Sequence, residues 1–223
     1  MCSSDLALER DPVLAKFLEE ELFPENPRVR ILCRDALAFD FRECSRNSAP
    51  PLTLAGNLPY QITSPLLFKL VEAKPAVGRA VFMVQEEVGG RLLSPPGTKD
   101  YGVLSVLMQY HFALERVFSL GPANFYPPPQ VDSVVLRLTP RQAEPRAKDE
   151  ALFSRVVKAA FAHRRKTLNN TLVSRAADFG LAPEKLRAIF AALEIDRARR
   201  GETLGVAQFV AVSNAIREAM RLE

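Results

Sequence analysis

The strongest constraint on the fold is an alternation that runs through the first 140 residues and then stops. Short apolar runs of strand length recur there, separated by stretches whose apolar residues fall three or four apart. Leu6-Ala7-Leu8-Glu9, Val29-Arg30-Ile31-Leu32, Leu52 to Ala55, Arg79 to Gln85, Phe112 to Phe118 and Ser133 to Leu138 read as strands. Val13 to Leu22, Pro65 to Glu72 and Tyr101 to His111 read as helices, the last of them amphipathic. Strands that alternate with helices need crossover connections, which predicts a mostly parallel sheet buried on both faces. After Thr139-Pro140 the strand signal ends. Residues 141–150 are polar and charged, as a linker would be, and Phe153 to Phe161, Pro183 to Leu193 and Val206 to Met220 carry helical spacing. Pro183 stands where a first helical residue tolerates proline, and Gly180 and Gly201 mark helix ends or turns. The expected organisation is an α/β domain over 1–140, a linker over 141–150 and a small all-helical domain over 151–223.

Charge follows the same division. Residues 1–140 hold 14 Lys and Arg against 16 Asp and Glu, whereas 141–223 hold 16 against 10. A near-neutral body with a basic helical module fits a protein that faces a polyanion; a solvated, Arg-rich helix surface would read the same way. Cys2, Cys33 and Cys44 are too few and too scattered for a disulfide framework or a CxxC metal site. Two histidines, His111 and His163, exclude most zinc and His-triad chemistry by count. No apolar run approaches the roughly 18 residues that a bilayer crossing needs. The first ten residues lack the basic-then-apolar layout of a signal peptide, so the expectation is a cytoplasmic protein without membrane contact.

Three stretches carry chemistry. Gly56-Asn57-Leu58-Pro59-Tyr60 follows the strand at Leu52, at the edge where open α/β sheets bind ligands. Asn57 offers an amide acceptor and two donors, Pro59 fixes its own backbone so that nearby carbonyls can point outward, and Tyr60 offers a flat face. That set suits a planar base with an exocyclic amine. A plain strand-to-helix turn would use the same residue types. Asn124 to Val135 contains a proline-stiffened loop that presents Phe125 and Tyr126 before a strand, either to close a base pocket or to plug the core. Phe161 to Asn170 contains Arg164, Arg165 and Lys166 beside polar amides, and Arg197, Arg199 and Arg200 form a second cluster. Both suit phosphate contacts or a solvated face.

Taken in this order, Asn57-Leu58-Pro59-Tyr60, the Phe125 to Val135 stretch and Arg164-Arg165-Lys166-Thr167-Leu168 resemble the ribosomal RNA adenine dimethyltransferases. Gln85-Glu86-Glu87-Val88, Tyr101 to Val106 and Arg200-Gly201-Glu202-Thr203-Leu204 are similar too, so the likeness runs from about Leu6 to Met220. It is to the bacterial small-subunit (16S) enzymes, which make two adjacent N6,N6-dimethyladenosines. The resemblance implies a Rossmann-like S-adenosylmethionine (SAM) domain with a helical RNA-binding domain. It also implies SAM as methyl donor without a metal, 16S rRNA in the immature 30S subunit as partner, and a monomer. By the same likeness Glu9 binds the SAM ribose hydroxyls, Asp35 and the Ala36 amide meet the SAM adenine, and Asn57 is shared between cofactor and target. Leu58 and Pro59 supply a carbonyl to the target amine, Tyr60 and Phe125 sandwich the adenine, and Arg164, Arg165 and Lys166 contact the RNA backbone.

One departure concerns the amino-terminal end. In dinucleotide-type folds the ribose carboxylate lies about 20 residues after a Gly-rich turn, yet here it is residue 9. No G-x-G pattern occurs, and Gly89-Gly90 stands in a different context. The expectation is a sheet that lacks its first strand, with a hydrophobic gap or an exposed edge and weak or absent SAM binding, which calorimetry would test. Three other activities fit parts of the pattern: a 23S rRNA adenine methyltransferase, a non-catalytic RNA-binding or ribosome-assembly protein, and a DNA adenine methyltransferase.

Overall fold

The computed structural model describes residues 5–24, 26–45 and 51–221, so Cys2 lies outside the described residues. All six expected strands form: β1 (Asp5–Glu9), β2 (Val29–Cys33), β3 (Leu52–Asn57), β4 (Val77–Gln85), β5 (Phe112–Leu120) and β6 (Ser133–Pro140). They make two sheets. The parallel pair β1–β2 stands by itself, and the other four strands lie in the order β3-β4-β6-β5. Leu8 and Leu32 of the small sheet nonetheless pack on the same core as Phe82, Val84, Val134 and Leu136 of the large one. Among the described residues, β1 and β3 each keep one edge without a ladder partner.

The mostly parallel sheet expected from the alternation is corrected to a mixed one. β3 and β4 are parallel, but β6 runs antiparallel to both β4 and β5. The reason is the connection between β5 and β6, which contains no crossover helix, so the chain turns back beside its neighbour.

Eight α-helices are described: α1 (Pro12–Phe17), α2 (Thr63–Glu72), α3 (Glu86–Leu93), α4 (Val103–His111), α5 (Glu150–Phe161), α6 (Leu168–Thr171), α7 (Pro183–Ala192) and α8 (Val206–Ala219). Capping follows side-chain chemistry. Asp11 accepts from the amides of Val13 at 2.8 Å and Leu14 at 3.3 Å, and Asp149 accepts from Leu152 at 2.9 Å. Pro183 opens α7, and Gly180, at φ +69°, ends the 3-10 segment Val173–Phe179.

α4 is not amphipathic but buried nearly all round, because it lies between two cores. Leu104 and Met108 join the core of the sheet, whereas Val106, Leu107 and Tyr110 join that of the helical part with Phe153, Phe190 and Phe209. Residues 141–149 form no regular element but are packed down. Ala143 and Ala147 are buried, the Ala147 amide donates to the Tyr110 hydroxyl at 3.0 Å, and the Lys148 amide donates to Asn214 Oδ1 at 2.7 Å.

Candidate active site

β3 ends at Asn57, and the Leu58 amide extends the ladder by one bond, donating to the Met83 carbonyl at 3.0 Å. The Leu58 side chain turns into the core while Asn57, Pro59 and Tyr60 stay exposed. The Pro59 carbonyl accepts from the Ile62 amide and from Thr63 Oγ1, each at 3.0 Å, so it caps the start of α2. Of the two carbonyls expected to serve the target amine, Pro59 is thus committed to the helix. Leu58 alone has a carbonyl without a partner among the described residues.

The proline-rich loop is fixed at both ends. At its start the Phe125 amide donates to Pro122 and the Asn124 side chain to the Gly121 carbonyl. At its end the Glu86 amide donates to the Asp132 carbonyl at 2.9 Å, and Glu86 is paired with Arg116 of β5. Phe125 does not plug the core. With Asn57, Leu58, Pro59, Tyr60, Tyr126 and the buried Ser133 it lines one cavity of about 350 Å³. That volume is at the small end of ligand pockets, and the lining is aromatic with a few polar groups, as such pockets require. Tyr126 joins Phe125 there, as one of the two alternatives for this loop has it, whereas nothing in the sequence reading pointed to Ser133. Ser133 is a polar residue just before the apolar run Val134-Val135-Leu136, which is the one signal that could have marked it.

Glu9, Asp35 and Ala36 do not line that cavity. Glu9 ends β1 and Asp35 follows β2, so both stand at the carboxyl ends of the small parallel sheet. Glu9 Oε1 accepts from the Asp11 amide and Asp35 Oδ1 from the Leu37 amide, each at 2.8 Å. Each carboxylate keeps a second oxygen without a partner among the described residues.

The two cationic clusters are brought side by side. The Leu168 amide donates to Arg199, the Asn169 amide to Arg197, and Thr167 bridges to Arg200. Arg164 stays exposed but is tied down: its Nε donates to Glu202 at 3.0 Å and its Nη2 to the carbonyl of Lys99. Arg199 likewise binds Thr203. Arg165, Lys166, Arg197 and Arg200 make no ion pair among the described residues.

Residues 1–216 match the ribosomal RNA adenine dimethylase family. The chain belongs to that family. Among its relatives is the ribosomal RNA small subunit methyltransferase A of Myxococcus xanthus, 46% identical over 212 residues, or 94% of this chain and 72% of the relative. The protein of that name from Geobacter sulfurreducens is 45% identical over 214 residues, 95% of this chain and 76% of the relative. A Plasmodium falciparum dimethyladenosine transferase shares the fold at a TM-score of 0.71 and 20% identity, over 94% of this chain and 80% of that one. The 23S rRNA methyltransferase ErmE shares it at 0.64 and 24%, over 96% of this chain and 82% of that one. This adenine dimethylase is therefore an α/β methyltransferase of Rossmann-like architecture with a helical carboxyl-terminal part.

Proposed function

We propose that this chain transfers methyl groups from SAM to N6 of two adjacent adenosines near the 3′ end of 16S rRNA, in the immature 30S particle of the cytoplasm. The observation that carries this reading is the convergence of Asn57, Leu58, Tyr60 and Phe125 on one cavity. The family and the small-subunit names of its relatives supply the target.

Of the SAM-binding set that the family implies, the acceptors for the ribose and adenine are present here, whereas no G-x-G turn for the amino-acid side occurs in these residues. The unpartnered oxygens of Glu9 and Asp35 are acceptors at strand ends, as ribose hydroxyls and an adenine amine require. When bound, SAM supplies an electrophilic sulfonium methyl group. The chain's part is to hold the nucleophile. An exocyclic adenine amine is weakly nucleophilic because its lone pair is delocalised into the ring. Asn57 Oδ1 and the Leu58 carbonyl accept its two hydrogens, which favours a pyramidal nitrogen with a localised pair. Tyr60 and Phe125 hold the ring between them, so positioning is the main catalytic contribution. Among the described residues that line the cavity there is no carboxylate, lysine or histidine, so the proton released from the alkylated nitrogen passes to water.

Arg165 and Lys166, with Arg197 and Arg200 alongside, supply the phosphate contacts of a structured RNA. Arg164 acts as a brace between Glu202 and the 98–99 segment. The reading is tested by labelled-methyl transfer to unmethylated 30S particles, with the modified positions mapped by primer extension. Two adjacent 16S adenosines are expected. Modification of 23S rRNA or of duplex DNA instead would overturn it.

A further inference from the structure

Tyr126 is the one large side chain in the cavity lining that touches nothing inside the protein. Its ring is 100% exposed, while Tyr60 beside it is 46% exposed and Phe125 is half-buried. A bare aromatic ring leaves a sizeable apolar surface in water, and the loop that carries it is anchored at both ends. Asn124 and Phe125 are bonded back onto residues 121–122, prolines follow at 127, 128 and 129, and the loop ends on the Glu86–Asp132 bond. A solvent-facing ring on an anchored loop at the mouth of a base-sized cavity is a surface suited to stacking.

The charges beside it select what can lie there. A second cavity, of about 310 Å³, adjoins the same loop and is lined by Gln85, Glu86, Glu87, Gln130, Val131 and Asp132. Glu86 and Glu87 are paired with Arg116 and Arg91, so the lining offers a phosphate no free cation and the surface favours the neutral face of a base. Phosphates are favoured instead at Arg165 and Lys166.

Resting on the proposed methyl transfer, we infer that Tyr126 stacks on the nucleotide next to the target adenosine, so that the enzyme engages two consecutive bases at once. The target base sits in the cavity and its neighbour lies on the outer ring. This would make Tyr126 a specificity-determining residue for a substrate in which two adjacent adenosines are modified.

The test uses the full chain and a 16S-derived hairpin with 2-aminopurine either at the target position or beside it. Each neighbour position is also replaced by an abasic residue. Wild-type protein is expected to quench the neighbour's fluorescence, Tyr126→Trp to retain the quench, and Tyr126→Ala to lose it. Tyr126→Ala should weaken binding of the intact hairpin about 5- to 140-fold, the equivalent of ~1–3 kcal/mol per stacked base. It should leave binding of the hairpin with the abasic neighbour unchanged. Unchanged binding of the intact hairpin, or an equal loss on both hairpins, overturns the inference. So does a dimer in sedimentation that Tyr126→Ala dissolves. The target-position probe separates the two readings. If its signal depends on Asn57 while the neighbour's ignores Tyr126, only this inference fails. If the target probe gives no Asn57-dependent signal, the proposed function fails with it.

Discussion

Two consecutive glycines in α3 should respond to alanine in opposite directions. A Cβ on Gly89 would stand 2.3 Å from Val134 Cγ1 and 3.8 Å from Leu136 Cδ1, and both partners are fully buried in β6. Carbon atoms rest about 3.5–4.0 Å apart, so helix and strand would have to separate by more than an ångström. The helix has little room to yield. The Arg91 carbonyl is held by Ser105 Oγ at 2.6 Å, the Leu92 and Ser94 carbonyls by Gln109, and the Glu86 amide by Asp132. Overpacking of this kind costs about 3 kcal/mol at the upper end, against about 1 kcal/mol gained by removing a helical glycine. Gly89→Ala is therefore expected to lose about 2 kcal/mol. A Cβ on Gly90 meets nothing within 4 Å, so Gly90→Ala keeps only the gain, up to about 1 kcal/mol. Urea unfolding of both variants measures the difference, and Gly89→Ala combined with Val134→Ala should cost less than the sum of the two single changes. Equal midpoints for the two glycine variants, or strict additivity with Val134→Ala, would refute the packing argument. Because Glu86 anchors the loop that carries Phe125, Gly89→Ala should also weaken binding of the target base.

Three further outcomes are expected. Burial, with the nearby charge of Lys74, lowers the His111 pKa to about 4 from an ordinary 6.5. As pH falls below 6.5 the unfolded chain takes up a proton that the folded one refuses. Stability should then drop by up to about 3 kcal/mol by pH 4, and urea midpoints of His111→Asn should show a flatter acid limb; an unchanged limb contradicts this. Arg165→Ala and Lys166→Ala should each reduce the salt slope of RNA binding by about 1, whereas Arg164→Ala should leave the slope unchanged and cost up to about 1 kcal/mol of stability. Filter binding at several salt concentrations, with urea unfolding alongside, distinguishes them. Hydrogen exchange should find the amides of β1 and β2 less protected than those of β4 and β6, since a two-stranded sheet gains little from its own ladder. Equal protection would show that the two sheets open as one unit.

The strand and helix positions were legible because apolar spacing records which residues must be buried. Direction was not: Val134 and Val135 satisfy a buried strand whether it runs with β4 or against it. α3 escaped notice because Gly89 and Gly90 weaken its helical signal, and only the contact with Val134 explains why a glycine stands there. The spacing of α4 could not reveal that its two faces serve two different cores. At the site, Asn57, Tyr60 and Phe125 could be read as a group from residue type and order. The capping duty of the Pro59 carbonyl and the brace formed by Arg164 depend on long-range partners that no local pattern records.

The central claim is that Asn57 tethers the amine of an adenine held between Tyr60 and Phe125. The most direct measurement is methyl incorporation into unmethylated 30S particles by the wild-type chain and Asn57→Ala, with SAM in excess and RNA binding measured in parallel. The account predicts incorporation at N6 of the two adjacent adenosines by the wild-type chain and none by Asn57→Ala, with RNA affinity preserved. Incorporation by Asn57→Ala at the wild-type rate, or none by the wild-type chain, would contradict it.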